Sequence, residues 1–178
     1  MNGKLKLLYD NIYQCNEQGL YYVNIEGKNY LINSTGKILS EYFDGSIYFE
    51  NGYAMVRKAK RIGLLGKNGE LVLPCIYESV EWRYEMLAVV DEKSTGIIYS
   101  ADREVIYSDN DVQSIKIPES DRAIICYKNH VSALIDLGSN SIIKSEDAII
   151  THITMSMYKV NKSSGSNIID KYGKLICS

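Results

Sequence analysis

The sequence predicts an all-β fold of five repeats, each about 33 residues long and made of short antiparallel strands, arranged as a small propeller-like ring. Three observations carry that prediction. Gly3, Gly36 and Gly69 recur at one fixed interval, and Gly19 and Gly52, or Val23, Val56 and Val89, keep the same spacing. Self-similarity at a fixed period marks a fold stacked from copies of one small unit. The apolar pieces inside each copy are short, rich in Ile, Val and Tyr, and bounded by Gly, Asn, Asp and Ser, which reads as strand and turn. No stretch of ten or more residues spaces its apolar positions as a helix would.

Each copy divides into four pieces. The first is Tyr30-Leu31-Ile32, then Gly63-Leu64-Leu65, Gly96-Ile97-Ile98, Ala133-Leu134-Ile135 and Asn167-Ile168-Ile169. A turn follows, as in Lys67-Asn68-Gly69-Glu70, where Asn-Gly suits the positive φ of a tight hairpin. The second piece is Leu5-Lys6-Leu7, Ile38-Leu39, Leu71-Val72-Leu73, Val105-Ile106, Ile142-Ile143 and Leu175-Ile176. A corner bearing a carboxylate leads to the third, which is Ile12-Tyr13, Ile47-Tyr48-Phe49, Val80-Glu81-Trp82, Ile115-Lys116-Ile117 and Ile149-Ile150. The fourth closes the copy, as in Tyr53-Ala54-Met55-Val56 and Leu87-Ala88-Val89-Val90.

The chain starts at the turn before a second piece and ends inside another. That phase predicts a single domain over 1–178, with units at about 1–28, 29–61, 62–94, 95–131 and 132–165, and with 166–178 completing the first unit. A propeller whose two termini share one blade closes in this way and hides its sheet edges. An open β-solenoid or meander of five coils is the competing arrangement.

The segment from Ile62-Gly63-Leu64-Leu65 through Lys67-Asn68-Gly69-Glu70-Leu71-Val72-Leu73-Pro74 to Tyr77-Glu78 resembles the bacterial WG-repeat (KWG-repeat) family. Gly52-Tyr53-Ala54-Met55-Val56 and Leu87-Ala88-Val89-Val90 match the strand that closes that family's unit. The resemblance is clear over 1–99 and looser over 100–178, and no copy carries the Trp of the WG dipeptide. It implies a non-enzymatic repeat module with no catalytic residues.

Composition narrows the function. An apolar share of 46% suits a globular core, and a net charge of −2 gives no pull toward nucleic acid. No apolar leader or spanning segment is present, which predicts a cytoplasmic protein without a membrane partner. Cys15, Cys75, Cys126 and Cys177 are widely spaced and predict reduced, mostly buried thiols rather than a metal site. His130 and His152 lie in no catalytic pattern, and no phosphate-cradling or calcium-binding loop occurs. The expectation is no enzyme, no cofactor and no metal.

Two surface features stand out. Every corner between second and third pieces carries a carboxylate, at Asp10, Asp44, Glu78, Asp111 and Asp147. These would share one face with basic linking turns that include Arg57, Lys60 and Arg61, although an Asp at each corner also serves turn formation alone. The second feature is Glu81-Trp82-Arg83-Tyr84-Glu85, which replaces a glycine-containing turn of the preceding copy and reads as a loop. Trp, Arg and Tyr dominate binding hot spots, so Trp82, Arg83 and Tyr84 are the candidate contacts for a protein partner. The alternative is a receptor for a small ligand, a sugar or a nucleotide, held at repeated equivalent sites lined by Tyr and carboxylates.

Overall fold

The structure, a computed structural model, describes residues 9, 11–15, 19–50 and 52–178. Leu5-Lys6-Leu7 and the corner residue Asp10 lie outside them. The described residues form eighteen β-strands in five antiparallel sheets and contain no helix. Among them, therefore, no helix is long and apolar enough to cross a membrane. The chain groups into two compact units, Met1–Tyr77 and Glu78–Ser178.

In the first unit, β1 (Asn11–Gln14), β2 (Leu20–Ile25) and β3 (Lys28–Asn33) make one sheet. β4 (Ala54–Lys58), β5 (Arg61–Leu65) and β6 (Leu71–Tyr77) make the other. The remaining two pieces form isolated bridges in place of strands, among them Ile32 with Ile38 and Glu50 with Tyr53. Leu31, Phe43, Ile47, Val56 and Leu65 are buried together in this unit's core.

The second unit holds three four-stranded meanders, each in sequence order. The first is β7 (Ser79–Arg83), β8 (Met86–Val90), β9 (Gly96–Tyr99) and β10 (Val105–Asp109). The second is β11 (Val112–Glu119), β12 (Arg122–Tyr127), β13 (Ser132–Asp136) and β14 (Ser141–Glu146). The third is β15 (Ile149–Thr154), β16 (Met157–Lys162), β17 (Gly165–Asp170) and β18 (Leu175–Cys177). Each sheet therefore combines the third, fourth, first and second pieces, in that order. Residues 166–178, which the out-of-phase start assigns to the first unit, pair instead with the strand just before them: Ile169 sits opposite Tyr158 and Asn167 opposite Val160. A short link makes this local pairing cheap, because loop closure costs little.

Burial follows position in the sheet. All five residues of β8 are buried, as are the central residues of β12 and β13, so both faces of these inner strands are covered. That is why the fourth pieces read as unbroken apolar runs. The second pieces lie at sheet edges, and all three residues of β18 are exposed. Cys177 is exposed with them because it sits on that edge, and Cys15, Cys75 and Cys126 are only half-buried, so the expected mostly buried thiol set is not met.

The glycine opening the first piece has a packing reason. A Cβ on Gly63 would lie 2.7 Å from the Leu73 carbonyl oxygen and 2.8 Å from the Cys75 sulfur. A Cβ on Gly96 would lie 2.9 Å from both methyl groups of Val112. Neighbouring chain passes too close for any side chain.

Candidate functional site

A meander sorts its connections between two ends. Fourth-to-first turns and links between sheets lie at one end, here the link end. Third-to-fourth and first-to-second turns lie at the other, the turn end.

The described carboxylate corners occupy link ends. Asp44 is exposed, yet its Oδ2 accepts the Ala59 N–H at 2.8 Å, which caps the β4–β5 turn. The carbonyl of Asp111 accepts the Lys128 N–H at 2.9 Å, so this corner meets a basic linking turn through backbone. The backbone N–H of Glu78 is bonded to the Val90 carbonyl at 2.8 Å, and Asp147 is exposed. Lys60 sits in the β4–β5 turn, while Arg57 and Arg61 are strand residues flanking it.

Trp82, Arg83 and Tyr84 occupy a turn end, at the far end of β7 from Glu78. The sequence reads Glu81 to Glu85 as a loop. The structure places Glu81 and Trp82 in β7, as the third piece Val80-Glu81-Trp82 has them, and adds Arg83; they sit opposite Ala88, Leu87 and Met86. Only Tyr84 and Glu85 turn, with φ of 52° and 61°. Two consecutive positive φ values make a two-residue hairpin of the type that Asn-Gly favours. Ala59 and Lys60, at 51° and 69°, form the same kind of turn without glycine. Non-glycine residues held there cost about 1–3 kcal/mol each, so surrounding contacts must hold them.

For Tyr84 those contacts are present. Its hydroxyl donates to the Pro118 carbonyl oxygen at 3.0 Å, and the Arg83 guanidinium lies 5.2 Å from its ring centre. The residue still stays 46% exposed, so aromatic surface is presented rather than buried. Arg103, from the β9–β10 turn, lies 5.0 Å from the ring centre of Trp82.

The turn end continues across the next two sheets. Glu119 Oε1 accepts the Ser156 N–H at 2.7 Å and the Tyr158 hydroxyl at 3.0 Å, with His152 Nε2 at 3.4 Å. Burial, reinforced by Glu119, raises the Tyr158 hydroxyl above the ordinary tyrosine range. Arg122 is buried, yet it reaches Asp136 at 2.8 Å, Asp121 at 3.0 Å and the Lys171 carbonyl at 3.1 Å. The Ser139 N–H and hydroxyl, then Arg122, hold the Asp136 carboxyl below its ordinary range. Tyr172, 71% exposed, lies beside both Arg122 and Lys171. Met155 is 86% exposed on the same side.

Glu119, Asp121 and Arg122 escape sequence reading because charged residues beside a turn look solvated. Their signal, in retrospect, is Pro118-Glu119-Ser120-Asp121-Arg122 at the same place in its copy as Trp82 to Glu85. Among the described residues no three His, Cys, Asp or Glu side chains converge as metal ligands.

Five short antiparallel sheets with this repeat define an all-β repeat protein of propeller type. Residues 31–60 and 62–92 match the WG containing repeat, which covers the two copies whose motifs carry that resemblance. No curated protein sequence matches it. Similar solved structures include the computationally designed Ika8 protein, at 10% identity and a TM-score of 0.52, covering 93% of this chain and 60% of that one. The C-terminal WD40 domain of Sif2 is 14% identical with a TM-score of 0.50, covering 89% and 54%. Kluyvelomyces marxianus Hsv2 is 8% identical with a TM-score of 0.52, covering 92% and 64%. The chain thus spans between 54% and 64% of the length of these structures. At such identities they bear on fold alone.

Proposed function

We propose that this chain is a non-catalytic repeat scaffold that binds a protein partner through the turn end of the second unit. One observation carries the reading. Tyr84 is held at positive φ and pinned to Pro118 while its ring stays exposed beside Arg83. Strain kept in place by tertiary contacts, and spent on displaying an aromatic and an arginine, fits a contact hot spot better than packing. Tyr172 and Met155 extend the surface with further types suited to interfaces. Against catalysis, the carboxylate that meets His152, Glu119, already accepts two other hydrogen bonds on the same oxygen. His130 sits exposed in a turn.

The test is capture of partners from the native organism on the immobilised chain, comparing Arg83→Glu and Trp82→Ala with Lys60→Glu. The reading expects one protein to be retained by the unmodified chain and by Lys60→Glu, and lost with the two turn-end variants. Equal retention by all three folded variants sinks it.

A further inference from the structure

We propose that a cavity in the first unit binds a small apolar carboxylate, with Lys58 as its anchor. The cavity measures about 440 Å³, within the range of small-molecule sites. Phe43, Leu65, Leu39 and Leu71 supply its apolar lining, the first two of them buried. Glu41, Lys58, Glu70 and Cys75 are its other charged or titratable groups. An apolar body with one charged end fits that division.

The sign of the charge follows from the cations and anions present. Among the described lining residues Lys58 is the one cation. Its ammonium sits 5.3 Å from the ring centre of Tyr42 and is paired with Glu41. The two partners are unequally placed, with 34% of the Lys58 side chain exposed but 77% of the Glu41 side chain. Exposed ion pairs are weak, so Glu41 can leave for water at small cost while Lys58 stays at the cavity. A ligand carboxylate then takes the place of Glu41. Glu70 is engaged elsewhere, accepting the Asn68 N–H of its own turn at 3.1 Å. Burial raises the Cys75 thiol above its ordinary range, so it adds no charge at neutral pH.

This feature is not part of the repeat. The positions one period beyond Glu41 and Lys58 hold Pro74 and Asp91, which cannot form the pair. The scaffold therefore does not need the pair, and one site per chain is expected rather than one per repeat.

The experiment titrates the full chain with 3-phenylpropionate by calorimetry and by amide chemical shifts, with 3-phenylpropanamide and phenethylamine as neutral and cationic probes. The proposal expects one site for the carboxylate, at least tenfold weaker binding of both other probes, and shifts centred on Leu39 to Phe43 and Cys75. Lys58→Met is expected to abolish binding. Glu41→Gln, which removes the internal competitor, is expected to tighten it severalfold. No binding, equal or tighter binding of phenethylamine, or weakened binding in Glu41→Gln with the fold intact overturns the proposal.

Discussion

The hydroxyl of Tyr84 donates to the Pro118 carbonyl oxygen at 3.0 Å, tying the turn of one sheet to a strand of the next. Pro118 is buried, so its carbonyl loses its partner if the hydroxyl is removed. Tyr84→Phe is therefore expected to cost about 1 kcal/mol, the net worth of a typical hydrogen bond. Urea unfolding of the variant measures it. An unchanged midpoint means that the contact does not hold the turn.

The glycine that opens the first piece is expected to be intolerant of any side chain. Gly63→Ala places a methyl 2.7 Å from a backbone oxygen of β6, and backbone yields less readily than a side-chain tip. Overpacking of this kind costs about 1–3 kcal/mol. Gly138→Ala is the control, since its nearest atom is the Asp136 carboxylate at 3.4 Å. Thermal melts of the two variants should separate clearly.

Much of this was legible in the chain, for reasons that particular residues show. Val56 and Val89, one period apart, occupy equivalent buried places in β4 and β8, because a repeat places its core by period. Asn33 and Asp170, which follow first pieces, each accept two backbone N–H groups of their turns, so a local need set those residue types. Arg122 was not legible. Its partners are Asp121, Asp136 and the Lys171 carbonyl, the last 49 residues away, and no local pattern encodes them. The extension of β7 to Arg83 and the tight turn at Tyr84-Glu85 were hidden because a hairpin without glycine carries no turn signal.

Arg122 gives the next expectation. Its side chain is 3% exposed, and removing it strands Asp136 beside a buried hollow. Breaking a buried pair costs about 3–5 kcal/mol, and the low end applies because Asp136 reaches solvent. Arg122→Ala is expected to lose about 3 kcal/mol, and Arg122→Met less, because its stem refills the space. Denaturant titration checks both, and equal losses would show that packing is not part of the role.

Stability is expected to fall on the alkaline side. Burial pushes the Cys15 thiol from 9.0 up to about 11, against a weaker opposing pull from the Tyr22 backbone. The folded chain therefore holds this proton where the unfolded chain has lost it. That contribution is intact below pH 9 and drains away as pH rises toward 11. Burial also raises Tyr107 and Tyr158, which steepens the decline at still higher pH. Melting temperatures of the parent and Cys15→Ala between pH 8 and 11 should converge as pH rises. Parallel curves would show that Cys15 is not desolvated.

The hairpin tip separates scaffold from function. Tyr84 and Glu85 hold φ values that Asn and Gly adopt with far less strain. Replacing the pair by Asn-Gly relieves about 1–3 kcal/mol per strained residue and loses about 1 kcal/mol with the Pro118 hydrogen bond. The double variant is thus expected to be at least as stable as the parent by urea unfolding. It also removes the exposed ring next to Arg83, so a partner held by this surface should bind at least tenfold more weakly. A variant that is more stable yet binds less is the signature of a residue kept for contact. If stability drops while binding is unchanged, Tyr84 serves the fold and the contact lies elsewhere on the turn end.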